Sequence, residues 1–203
     1  MHGITGISHR MRRMMVTTSA AFAALALLGA PSSAQVTVFT AALTGAQAVP
    51  PTASTATGFI TVTLDQTLNT LSVNEIFSGL TGGPAAAAHI HCCTPPGSAA
   101  IVAVPFPGFP AVTSGTFSHL FDLTAAASYN PVFITTNGGT VSSARDALIA
   151  GMFAGQTYAN IHNAQYPAGE ISGQLIATPE PASLTLLGTG LQLVGIAGWR
   201  RRG

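Results

Sequence analysis

The chain has 203 residues, enough for one modest domain with appendages, and only 6% of them are charged where an ordinary soluble domain carries roughly 25%. It contains no lysine, and between positions 35 and 177 Arg145 alone faces Asp65, Glu75, Asp122, Asp146 and Glu170. One arginine cannot neutralise a phosphate backbone, which excludes nucleic-acid binding; 47% hydrophobic residues and no charged block argue against disorder.

The first segment, 1–34, reads as a signal peptide. Arg10, Arg12 and Arg13 form a positive n-region, residues 14–29 are apolar, and Pro31-Ser32-Ser33-Ala34 offers the small residues a signal peptidase reads. Cleavage is expected between Ala34 and Gln35. The apolar run is short for a membrane span, so an uncleaved anchor is the lesser reading.

Residues 35–177 form one domain large enough for a hydrophobic core. Short alternating segments predict strands at 36–43, 59–64, 71–77, 85–93, 99–104, 116–123, 157–162 and 170–176. In the second, Ile60, Val62 and Leu64 share one face, the period of a half-buried strand. In the third, Glu75 interrupts the apolar phase. Eight short strands separated by Gly, Pro and Asn predict an all-β antiparallel sandwich. One helix interrupts them: Ser143-Ala144-Arg145-Asp146 is a capping-box-like start, Leu148, Ile149, Met152 and Phe153 share a face, and Gly155 can end it. Asn137-Gly138-Gly139 before it is a turn.

The last segment, 178–203, is tripartite. Pro179-Glu180-Pro181 precedes eighteen uncharged residues, 182–199, and then Arg200-Arg201-Arg202. Eighteen such residues can just span a bilayer as a transmembrane helix, with Trp199 and the arginines at the cytoplasmic interface.

Chemistry-bearing residues concentrate in two strands. In His89-Ile90-His91, alternation sends both imidazoles to one face, a spacing suited to clamping a metal. In 157–162, Tyr158, Asn160 and His162 share a face. If the strands are neighbours, His89, His91 and His162 converge, with Glu170 as a fourth ligand, a donor set suited to copper or zinc. The alternative is a hydrogen-bonded polar sheet face that orders loops. His119, between Phe117 and Phe121 in strand phase, is expected to be a partly buried packing residue. For Cys92-Cys93 in an oxidising compartment, a vicinal disulfide, thiolate ligation of a metal and intermolecular bonding all stand open. No nucleophile is found: there is no Gly-x-Ser-x-Gly elbow, no lysine, and no pair of carboxylates at a working spacing. The domain is therefore expected not to be an enzyme.

Two resemblances follow from these residues. The segments 39–51 (FTAALTGAQAVPP), 77–82 (FSGLTG), 87–91 (AAHIH), 154–162 (AGQTYANIH) and 167–175 (PAGEISGQL), in this order, resemble the CHRD domain, named from chordin and common in bacterial exported proteins. The chain departs from that family at Ala48, where Glu is usual, and at Cys92-Cys93, where many members have Gly-Pro. The resemblance implies an immunoglobulin-like, Greek-key β-sandwich without established catalytic activity. The His-x-His strand is also similar, over a short span, to the copper-binding strand of Cu/Zn superoxide dismutase, but the remaining ligands do not align. The C-terminal segment resembles the PEP-CTERM sorting signal of Gram-negative bacteria. That implies recognition of Pro179, Glu180 and Pro181 by an exosortase, transient insertion in the inner membrane, and release to the cell surface or outside. Signal peptidase and exosortase are then the processing partners. Extracellular polysaccharide or surface proteins are the expected partners of the mature domain, as a matrix or biofilm module.

Overall fold

A computed structural model describes residues 36–178. The signal segment with its Ala34–Gln35 cleavage point, and the Pro179-Glu180-Pro181 motif with the stretch that follows, lie outside the described residues. Among the described residues no helix is long and apolar enough to cross a membrane.

Alternation of apolar and Thr-rich positions builds the first strands. Strand β1 (Val36–Thr44) buries Phe39, Ala41 and Leu43, and β2 (Thr57–Asp65) buries Ile60, Val62 and Leu64. Strand β3 (Thr70–Ser78) buries Leu71, Val73 and Phe77. The three form a continuous antiparallel ladder in which Val36 faces Asp65 and Asp65 faces Thr70. The β2–β3 turn is closed by the Asp65 carboxylate, which accepts from the Thr67 and Leu68 amides at 2.9 Å. Glu75 does not break the apolar phase of β3 but occupies it, 3% exposed, while Ile76 faces out.

The remaining strands are β4 (Ala85–Cys92), β5 (Ile101–Pro105), β6 (Gly115–Asp122), β7 (Thr157–Asn163), β8 (Ile171–Gln174) and β9 (Ile176–Ala177). The sheet runs β5-β4-β7-β8-β1-β2-β3-β6, entirely antiparallel, and curls into a half-barrel around one core. Its two four-stranded halves join at a single ladder pair, Thr44 with Ser172. Strand β9 then crosses over to pair with β1. The predicted 170–176 strand is thus split at Leu175, which is fully buried and donates its N–H to the Thr157 carbonyl at 3.0 Å. The all-β antiparallel architecture is the expected one, built as a single curled sheet in place of the two separate sheets of a sandwich.

Phe106, Phe109, Phe117 and Phe121 stack between the halves at centroid distances of 5.0 to 6.3 Å. Burial of a ring such as Phe106 or Phe121 contributes about 2–3 kcal/mol, and the partly buried Phe109 less.

Two helices link β6 to β7. Helix α1 (Pro131–Thr136) was not expected from the apolar pattern; Asn130 caps it, accepting from the Val132 amide at 2.9 Å, and Pro131 opens it. Helix α2 (Val141–Phe153) starts ahead of the expected Ser143, because Thr140 is the cap. Thr140 and Ser143 satisfy each other's backbone N–H at 3.1 and 3.2 Å. Leu148 and Met152 face the core, whereas Phe153 is half exposed against the Phe39 ring. Past the helix end Gly155 adopts φ +65°, a left-handed C-terminal stop.

Candidate metal centre

Strands β4 and β7 are neighbours, with His89 opposite Asn160, His91 opposite Tyr158 and Ala87 opposite His162. Ala88, Ile90 and Cys92 of β4, and Ala159 and Ile161 of β7, fill the core. Alternation therefore sends His89, His91, Tyr158, Asn160 and His162 together to the other face. There the three imidazoles form a group whose ligand atoms all lie within 4.8 Å of one another. Ring centroids stand 4.9 Å apart for His89–His162, 5.8 Å for His89–His91 and 6.1 Å for His91–His162.

The hydrogen bonds fix which nitrogen faces inward. His91 Nδ1 lies 2.8 Å from the Ala100 carbonyl and His162 Nδ1 lies 2.9 Å from the Pro167 carbonyl. A carbonyl only accepts, so both Nδ1 atoms carry hydrogen and both Nε2 atoms present lone pairs to the cluster. His162 Nε2 then accepts from His89 Nδ1 at 3.2 Å. A backbone carbonyl holding the far nitrogen of an imidazole is the outer support that metal-binding histidines use. The Tyr158 ring stacks on His91 at 4.7 Å and 2°, and its hydroxyl accepts from the Ala100 amide at 3.2 Å. These side chains occupy the backbone groups of Ala100, which is why β5 begins at Ile101, later than the predicted 99.

Burial lowers the pKa of all three rings. For His89, burial and then the neighbouring His162 and His91 bring it down to about 4. Burial dominates for His91 and His162 too, against the carbonyl bonds that favour the charged ring. The rings are neutral at neutral pH, the form in which imidazole binds a metal.

Glu170 is not part of this group. Its carboxylate accepts from Ser54 Oγ at 2.5 Å, from the Thr81 amide and hydroxyl at 2.6 and 2.8 Å, from the Gly82 amide at 3.2 Å, and from Asn163 Nδ2. Asn163 and His162 are consecutive on β7 and so face opposite sides, which places the carboxylate on the side away from the imidazoles. Burial pushes its pKa up, but the bonds from Ser54, Thr81 and Gly82 outweigh it and hold the group ionised. Glu170 ties two loops to β7 instead of binding a metal.

Cys92 and Cys93 are joined by a disulfide directly after His91. Their sulfurs lie on the Cys92 side of the strand, against the Ala147 carbonyl of α2 at 3.9 and 3.6 Å, not among the imidazoles. His119 is half buried between Phe117 and Phe121 on β6, at the opposite edge of the sheet order from β4.

Sequence reasoning missed the carbonyl supports at Ala100 and Pro167, since backbone groups carry no sequence signal. It also passed over Asn160 as a donor, although alternation already placed that residue on the His162 face.

The CHRD domain family model matches residues 39–175, and the PEP-CTERM protein-sorting motif model matches residues 177–202. No curated protein and no solved structure matches the chain.

Proposed function

The chain belongs to the CHRD domain family and carries a PEP-CTERM sorting signal, so it is an exported protein processed by an exosortase in a Gram-negative bacterium. From that premise we propose that the domain is a non-catalytic module of the cell surface or extracellular polysaccharide matrix whose His89, His91 and His162 bind one copper or zinc ion. One observation carries the metal reading: His91 and His162 have their outer nitrogens held on backbone carbonyls, so that their inner lone pairs turn into the cluster, that of His162 toward His89 and that of His91 toward Asn160. A polar sheet face that only ordered loops would not need three buried imidazoles gathered with their ligand atoms within 4.8 Å of one another.

The matrix reading rests on the outer face of β1, β2, β3 and β6. Three ladder rows there read Ala42–Phe59–Ile76–Thr116, Thr40–Thr61–Asn74–Ser118 and Val38–Thr63–Ser72–Leu120, without a charged side chain, and the row at the end of the face, Val36–Asp65–Thr70–Asp122, carries two aspartates. Phe59, Ile76 and Leu120 are 47%, 57% and 64% exposed. Hydroxyls, amides and apolar groups interleaved on one sheet face suit a neutral polysaccharide, whose rings stack and whose hydroxyls hydrogen-bond.

Titration of the exported protein with Zn(II) and Cu(II) tests the metal reading. One equivalent per chain is expected, with none retained after joint His89→Ala and His91→Ala substitution. Unchanged stoichiometry in that double variant contradicts it.

A further inference from the structure

The inference rests on the metal reading above and specifies its fourth donor. His91 Nε2 is 3.1 Å from Asn160 Oδ1. With hydrogen on Nδ1, held by the Ala100 carbonyl, a neutral His91 has only a lone pair at Nε2. The amide oxygen opposite it is also an acceptor. Two acceptors at this distance have no hydrogen to share, and both are buried, Asn160 to 1% exposure.

Turning the amide over would place Nδ2 against His91, but it would also turn Oδ1 onto the Ala168 carbonyl, to which Nδ2 now donates at 3.5 Å. At 3.5 Å the contact with the Ala168 carbonyl is a weak bond, and Asn160 Oδ1 is the atom that faces His91 in the structure. A cation bound to both atoms removes the conflict. Nitrogen and oxygen ligands at about 2.0–2.2 Å from one ion stand roughly 2.8–3.6 Å apart between square and tetrahedral geometry, and 3.1 Å falls inside that interval. The His89–His162 nitrogens, 3.2 Å apart, fall inside it as well. The register places Asn160 directly opposite His89, two positions from His162 on its own strand. The four side chains are therefore adjacent on one face.

We infer that Asn160 Oδ1 is the fourth ligand, completing a three-imidazole, one-amide-oxygen site for Zn(II) or Cu(II). The position expected for Glu170 is taken by an uncharged oxygen. A donor set without a carboxylate disfavours Ca(II) and Mg(II), which take oxygen-rich ligand sets, and suits the borderline metals that imidazole prefers.

The test measures Zn(II) and Cu(II) affinity of the exported, disulfide-bonded protein by chelator competition, for wild type, Asn160→Leu and Asn160→Asp, with a melting curve of each metal-free variant. Asn160→Leu is expected to weaken binding about tenfold or more. Asn160→Asp keeps an oxygen in place, adds a charge, and is expected to bind more tightly than wild type. Loss in both variants marks Asn160 as a positioning residue and overturns the inference, as does equal affinity in all three. Should Asn160→Leu fail to fold, the aspartate variant decides alone, because binding no tighter than wild type overturns it. Absence of metal binding in wild type overturns the metal reading itself, whereas an unaffected pair of variants overturns only the role of Asn160.

Discussion

Two buried carboxylates receive opposite treatment. Glu170 is surrounded by donors from Ser54, Thr81, Gly82 and Asn163 and stays ionised. Among the described residues Glu75 has no hydrogen-bond partner for either oxygen, and burial pushes its pKa up to about 8. A raised folded-state pKa contributes stability below the ordinary carboxylate range of about 4.3, and that stability is lost as pH rises through the folded value. The histidines of the cluster are lowered, so they titrate below the ordinary imidazole value of about 6.5. Between that point and about pH 8, Glu75 sets the slope. Wild type should lose about 2 kcal/mol of unfolding free energy across the window, while Glu75→Gln should stay flat, as urea denaturation at several pH values would read. A parallel slope in both proteins would contradict the assignment.

At this scale the sequence was only partly legible. The His-x-His spacing and the Tyr158–Asn160–His162 alternation located the imidazoles because strand geometry has a strict period of two. Glu170 was misplaced because its facing depends on the chain entering β8 through Gly169, at φ +119°, and alternation cannot be extended through such a turn. Glu75 stood in apolar phase yet was read as an interruption, since a charged residue type outweighed its position.

Among the elements, strands were legible and their ends were not. Seven of the predicted strands match continuous elements because the buried positions alternate cleanly, as in Ile60, Val62 and Leu64. The split at Leu175 was hidden, since changing partners from β7 to β1 leaves no mark on the apolar period. Helix α1 is six residues long, too short for a helical stripe, although Asn130-Pro131 carried its start signal. Helix α2 docks through Gly151 on the Cys92–Cys93 disulfide. A Cβ at Gly151 would collide with Cys92 Sγ and come within 2.9 Å of Cys93 Sγ. Glycine to alanine inside a helix ordinarily gains about 1 kcal/mol. Here the sign should reverse: Gly151→Ala is expected to lose about 2–3 kcal/mol by overpacking, seen as a lower denaturation midpoint. A midpoint raised by the substitution would show that α2 is not seated on the disulfide.

Over the whole molecule, composition fits the proposed role. A chain with 6% charged residues, seven arginines and no lysine presents little to attract charged partners. Its described surface offers instead a Thr-rich sheet face on one half, with Asp65 and Asp122 at one end, and a cluster of neutral imidazoles on the other. The two faces belong to different halves of the curled sheet, so attachment to polysaccharide through one leaves the other open to metal. An exported module of this kind would hold metal within the matrix without turning anything over.

Elemental analysis of the protein recovered with the producer's own extracellular polysaccharide, without chelator at any step, tests this most directly. The account predicts that the protein is found in that fraction carrying close to one equivalent of copper or zinc, and that wild type but not the His89→Ala, His91→Ala variant retains it. Metal-free protein that still fails to take up either ion when supplied in excess would contradict the metal centre, and protein absent from the polysaccharide fraction would contradict the matrix role.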